Sequence, residues 1–210
     1  MSSDWDAVKG DVVFLYKNAC TNLAGIVGNV VPVINKEDKS IGKKIGIIDG
    51  CNYTDSIDAI SESGDYFISL FDGSLINVFY SFDSEDQLLA FSLSFLPNVV
   101  SEALFENDYS ILQNYSGNYY LRIDYDPNSY RENIHTKIHM HTSLNKKDLR
   151  IPVNKIILPS EFLYFVLKNI YGKSDISTFK EKMIENIGTY ERETLLSQDE
   201  KASFFLSNQQ

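Results

Sequence analysis

Apolar and polar residues recur with helical spacing at the two ends of the chain and alternate with period two through its middle. Residues 3–23 read as a helix within an N-terminal segment of 1–24. Trp5, Val8, Val12, Leu15, Tyr16 and Ala19 recur at helical intervals, Ser3 can cap, and Asp4 and Asp6 fall in the first turn. Gly25 and Gly28 break the pattern, and Val27–Ile34 and Lys44–Ile48 are β-branched runs that predict strands, with a Lys-Glu-Asp-Lys-Ser turn between them. Cys51 to Asp65 looks irregular. Tyr66–Phe71, Asp72-Gly73 and Ser74–Phe82 form a hairpin signal with the dipeptide favoured in a type I′ turn. After the polar turn at 83–86 comes a strand over Leu88–Leu96, with Leu89, Phe91, Leu93 and Phe95 on one face and Pro97 as its stop. Residues 99–114 read as a helix or ordered loop.

The alternation returns at about 118–126 and 134–143, which predict a second hairpin extending the same sheet. The tail is helical. Pro159 suits a first turn, and Phe162, Phe165, Val166 and Ile170 make a stripe ending near Gly172. A helix at roughly 177–188 carries Phe179, Met183 and Ile187, and Ser197-Gln-Asp-Glu200 is a capping box before Phe204, Phe205 and Leu206. The expected fold is α+β: a single domain over 1–210, a mainly antiparallel sheet with its core at 66–143, and N-terminal and C-terminal (159–207) helices packed on one face.

Composition narrows the function classes. A net charge of −10 argues against a protein that coats nucleic acid. The charge is uneven, however: Arg131, Lys137, Lys146, Lys147, Arg150 and Lys155 outweigh Glu132 and Asp148, so 131–155 carries +4 and the remainder −14. That segment would attract an anion such as phosphate, although surface lysines near a turn are commonplace. Cys20 and Cys51 have no C-x-x-C spacing and read as buried free thiols of a reducing compartment, not a disulfide framework or structural zinc site. No signal-peptide pattern or transmembrane-length run is present, so a cytoplasmic protein without membrane association is expected.

All three histidines, His135, His139 and His141, lie within seven positions of that basic segment. On a strand, Ile138 and Met140 would face one side and the odd-numbered positions the other. In the preceding run Leu121, Ile123 and Tyr125 alternate with Arg122, Asp124 and Asp126. Pairing the runs gathers Arg, Asp and His on one face. His139 and His141 would stand about 6.6 Å apart and can chelate one metal, with Asp124 or Asp126 as a third ligand. His135, roughly 13 Å along an ideal strand, would need a bulge to join them. Without a metal, His139 and His141 can serve as acid and base, Asp124 can orient a histidine, and Arg122 and Lys137 can hold phosphate, with His135 and Arg150 as further ligand-binding candidates. The same pattern also describes a solvated sheet face whose charges pair across strands. The glycines near 25–28 and 42–46 do not make a phosphate loop, Ser92 and Ser94 lack a nucleophile elbow, and the tyrosines at 115–130 suit cross-strand packing better than base stacking.

Leu93-Ser-Phe-Leu-Pro97, Leu121-Arg-Ile-Asp-Tyr-Asp-Pro127, Ile138-His-Met-His-Thr142, Arg150-Ile-Pro152 and Pro159-x-x-Phe162 occur in an order that resembles the bacterial family designated domain of unknown function 2290. The resemblance covers most of the chain after about residue 60. It implies a bacterial, intracellular protein from anti-phage or mobile-element loci, and no established activity. Arg122, Asp124, His139 and His141 are also similar to the R-x-D strand and H-x-H segment of small bacterial toxins, from which this chain departs by being longer at both ends.

The leading expectation is a cytoplasmic effector acting on RNA or another phosphodiester, a possible nuclease, with no cofactor beyond a possible divalent metal. The alternative is a non-catalytic subunit docking a larger complex through its aromatic sheet and the acidic helical tail after Tyr190, including Phe204 and Phe205.

Overall fold

The computed structural model describes residues 3–22, 26–45, 53–98, 120–131, 135–142, 151–172, 176–188, 190–192, 195–198 and 200. In chain order the first elements are α1 (Asp4–Asn22), β1 (Ile26–Asn29), β2 (Ile34–Asn35), β3 (Ser40–Gly42), α2 (Tyr53–Ser63), β4 (Ile68–Leu70), β5 (Leu75–Phe82) and β6 (Leu88–Leu96). After these come β7 (Leu121–Tyr125), a 3-10 turn (Pro127–Ser129), β8 (Ile138–His141), β9 (Ile151–Pro152), α3 (Pro159–Asn169) and α4 (Ser177–Ile187).

The strands form one antiparallel sheet in the order β1-β4-β5-β6-β7-β8-β9. The β2–β3 hairpin joins the edge of β5 beyond the end of β4, with Ile41 opposite Tyr80. Alternation divides the central strands into two faces. Ile76, Val78, Tyr80, Phe91, Leu93, Phe95, Ile123 and Ile138 lie on the apolar face, in one core with Trp5, Val8, Val12 and Leu15 of α1, Phe162 and Val166 of α3, and Phe179 of α4. Each fully buried aliphatic or aromatic side chain contributes about 1.5–3 kcal/mol. The N- and C-terminal helices therefore share one face, as the pattern implies. Among the described residues no helix is long and apolar enough to cross a membrane.

Several local expectations change. The segment from Cys51 to Asp65 holds a helix, α2, whose Tyr53, Ile57 and Ile60 cover Leu75, Leu96 and Tyr120 on the opposite face. The 66–82 hairpin exists, but its turn is not type I′. Gly73 N donates to Leu70 O (2.9 Å) and Leu70 N to Ser74 O (2.8 Å), with a positive φ at Gly73 and not at Asp72. That is a three-residue loop ending in a left-handed glycine. Leu89 does not join the apolar face: Phe82 pairs with Leu88 and Ser81 with Ala90, so the extra residue bulges outward, 49% exposed. A strand that the pattern does not predict lies at Ser40–Gly42; Lys44 and Ile45 follow it without strand structure, and residues 46–48 of the strand expected over Lys44–Ile48 lie outside the described residues. On α3, Phe165 and Ile170 are exposed, and Leu163 and Leu167 fill the core beside Phe162 and Val166. The Ser197–Glu200 capping box forms: Ser197 N donates to Glu200 Oε2 (2.9 Å) and Glu200 N to Ser197 Oγ (3.1 Å). Residues 99–114, Cys51, the side chain of Cys20, Phe204, Phe205 and Leu206 lie outside the described residues.

A buried carboxylate ties the helices together. Asp11 on α1 accepts hydrogen bonds from Ser160 N (2.8 Å), Ser160 Oγ (2.7 Å) and Asn186 Nδ2 (3.0 Å). Burial pushes its carboxyl up from 3.8 to about 6, against the lowering effect of the Ser160 hydrogen bonds. A raised folded-state value means stability that is present below about pH 4 and lost as pH rises through about 6. The shift corresponds to about 3 kcal/mol at neutral pH. Denaturant unfolding at pH 4 and pH 7 is expected to show wild type losing about 2–3 kcal/mol relative to Asp11→Asn over that interval. Parallel pH dependence of the two proteins would contradict the assignment.

Candidate functional site

The β7–β8 register assembles the cluster. Arg122 pairs with His141 and Asp124 with His139, while Ile123 opposite Met140 sends the intervening residues to the other face. Directly opposed residues on one face have Cβ atoms about 5 Å apart. Alternation thus places four chemically active side chains on one patch of sheet.

A fifth arrives through a break in the strand. The chain bends at Lys137, where Thr136 Oγ1 donates to Ile138 O (2.8 Å) and Lys137 O accepts from Asp126 N (2.8 Å). Arg131 and His135 then exchange backbone hydrogen bonds as an isolated bridge. The bend brings the centroid of the His135 ring to 4.5 Å from that of His139, and the His141 ring centroid lies 4.8 Å from that of His139. Sequence spacing had made His135 the distant member. Thr136 and Lys137 carry no signal that announces this bend.

These side chains are held firmly. His139 and His141 are 3% and 7% exposed. Thr136 O lies 3.1 Å from His139 Nδ1, and because a carbonyl can only accept, Nδ1 carries the hydrogen and Nε2 the lone pair of the neutral ring. Arg122 Nε donates to Asp124 Oδ2 (2.7 Å), and His141 Nε2 lies 3.5 Å from the same oxygen. Burial alone would lower the Arg122 guanidinium, but Tyr120 and Asp124 beside it hold its pKa above the ordinary value, so it stays cationic. Burial pushes the Tyr120 phenol up. His135 Nδ1 is buried with no hydrogen-bond partner among the described residues.

The cluster forms the floor of a cleft of about 790 Å³. Lys44 and Ile45, following β3, make one wall, and Asp126 to Ser129 make another. Asn77 Nδ2 fastens the first wall by donating to Lys43 O (2.8 Å). Asp126 caps the 3-10 turn, and the hydrogen bond from Ser129 holds its carboxyl below the usual range.

Of the residues expected at the site, Arg122, Asp124, His135, His139 and His141 meet in this cleft. Lys137 instead lies over the Tyr130 ring, 5.4 Å from its centroid, and Arg150 lies outside the described residues. Lys44 also lines the cleft and is not among the residues the sequence pattern brings to the site. Tyr120 stands two residues before Arg122, so the same period-two alternation is the signal that places it on the Arg122 face. The spacing of Tyr53, Ile57 and Ile60 is a helical signal that identifies α2. Donor atoms of Asp124, His139 and His141 lie within 4.8 Å of one another, a possible metal-ligand set.

No curated protein and no solved structure matches the chain. Residues 26–207 match the family described as uncharacterized conserved protein (DUF2290), a longer stretch than the motifs after residue 60 indicate. The shared region takes in the whole sheet, the cleft and both C-terminal helices, and the chain belongs to this domain of unknown function 2290 family.

Proposed function

We propose that the cleft binds and cleaves a phosphodiester, with RNA as substrate, and that the protein acts as a bacterial cytoplasmic effector. The observation that carries this reading is the convergence of a held cation, Arg122, with Asp124 and three imidazoles on one cleft floor. A guanidinium can neutralise charge developing on the phosphate oxygens, and imidazoles titrate in the range where protons must move at neutral pH. In RNA the ribose 2′-hydroxyl oxygen adds to phosphorus while the bond from phosphorus to the 5′ oxygen breaks. The nucleophile gives up its proton to a neutral imidazole of the cluster and the departing oxygen takes one from a protonated imidazole, leaving a 2′,3′-cyclic phosphate and a 5′-hydroxyl. Asp124 positions this machinery through Arg122 and His141.

The test is incubation of purified protein with total RNA and with DNA. Cleavage of RNA that disappears in the His139→Ala/His141→Ala variant is the expected result. Absence of cleavage with either nucleic acid would overturn the proposal and turn attention to a docking role in a larger complex.

A further inference from the structure

We infer that Asp124, His139 and His141 hold one divalent transition-metal ion of the Zn²⁺ type, with open coordination positions facing the cleft. The inference deepens the RNA-cleavage reading, resting on it for the use of the ion but not for its binding.

The register makes the site. Asp124 and His139 are directly opposed across β7 and β8, and His141 is two residues along from His139 on the same face. This triangle points three donors of the right kinds, two nitrogens and one carboxylate oxygen, at one point. Four ligands around Zn²⁺ at about 2.1 Å stand about 3.4 Å from one another. His141 Nε2 and Asp124 Oδ2 already lie 3.5 Å apart, and the whole donor set spans no more than 4.8 Å. Closing it on an ion takes a side-chain rotation of roughly 1 Å at the third donor.

The surroundings match those of metal-binding groups. A ligating histidine donates its other ring N–H to a carbonyl or carboxylate, as His139 Nδ1 does to Thr136 O. A ligating carboxylate is itself hydrogen-bonded, as Asp124 is by Arg122 Nε. Both imidazoles are buried, which gives preorganised donors little cost of ordering. Two His and one carboxylate leave at least one position of a four-coordinate ion for water or a phosphate oxygen. With Asp124 balanced by Arg122, a bound ion gives the group a net charge of about +2, which draws an anionic diester into the cleft of an otherwise acidic protein. The ion supplies a Lewis acid and lowers the pKa of a bound hydroxyl or water. His135 lies outside the ligand set, its ring packed edge-on against His139.

The experiment uses the full chain, stripped with chelator and dialysed, and titrated with Zn²⁺ by calorimetry and with Co²⁺ by visible absorption. Wild type is expected to bind one equivalent of Zn²⁺, to melt at a higher temperature with it, and to give the intense visible bands of low-coordinate Co²⁺. Asp124→Asn and His141→Gln, two isosteric changes on different strands, are expected to weaken binding by more than the about 10- to 100-fold typical of losing an outer partner. Lys137→Ala, which lies away from the cleft floor, is expected to bind as wild type does. No saturable binding, or binding that survives both ligand substitutions, overturns the inference. RNA cleavage at full rate by the stripped protein would overturn the ion's part in the reaction and leave the cleavage reading standing. Zn²⁺ binding lost in the ligand variants, with no cleavage by any form, would support the metal site and overturn the cleavage reading.

Discussion

The His139→Ala/His141→Ala variant is expected to cleave RNA at least about 10³-fold more slowly than wild type while remaining folded. The loss is large because the two rings provide proton transfer or metal ligation, and no other described imidazole except His135 lines the cleft. Folding should survive because both rings lie on the polar face, opposite the core that joins the sheet to α1, α3 and α4. Truncating two buried rings still costs about 2–4 kcal/mol, which a domain stable by about 5–15 kcal/mol tolerates. Circular dichroism and thermal unfolding check the fold, and single-turnover cleavage checks the rate. If the alanine pair unfolds, His139→Asn/His141→Asn separates the effects, since the Asn amide places a donor near the position of Nδ1. Wild-type cleavage by a folded variant would remove the histidines from the mechanism.

Gly42→Ala is expected to have the largest effect on stability, above about 4 kcal/mol, with little folded protein recovered. Gly42 ends β3 with φ +75, where an L residue is disfavoured by about 1–2 kcal/mol. The greater obstacle is contact: a Cβ there would stand 1.9 Å from Val78 O and 2.9 Å from Val78 C, backbone atoms inside the central strand β5. Relief requires moving β3 away from β5, which loosens Lys43 and Lys44 and so one wall of the cleft. Gly10→Ala provides a contrast, because nothing lies within 4 Å of its added methyl and the site is helical. It is expected to stabilise by about 0.5–1 kcal/mol. Denaturant unfolding of both variants checks the pair, and a Gly42→Ala midpoint close to wild type would contradict the contact argument.

The strand pattern was legible wherever side-chain alternation alone sets the outcome. β6 spans the expected residues, and β7 and β8 pair in the register that puts Arg122, Asp124, His139 and His141 together. Alternation is a local property, and one buried face enforces it. Features fixed by backbone exceptions were not legible. The bulge at Leu89 sends a leucine to solvent, and the bend at Lys137 folds His135 back beside His139, although neither position carries Gly or Pro. The dipeptide Asp72-Gly73 marks a turn but not its type, because beside the local hydrogen bond from Ser74 N to Asp72 Oδ1, Tyr171 OH donates to Asp72 Oδ2 (2.7 Å), a tertiary contact that fixes the loop. α2 lay within reach of the sequence and was hidden by the short polar stretches around its three apolar residues.

The strand that carries two of the imidazoles is not the border of its sheet. β9, only Ile151 and Pro152, lies outside β8, with Pro152 opposite His139 and Ile151 opposite Met140. Proline has no N–H to offer a further strand, and a two-residue strand gives an incoming chain almost nothing to template on. This border of the described sheet is therefore blunted against edge-to-edge pairing, next to the strand that carries His139 and His141. A second copy of the chain finds too little backbone at this border to add itself as the next strand.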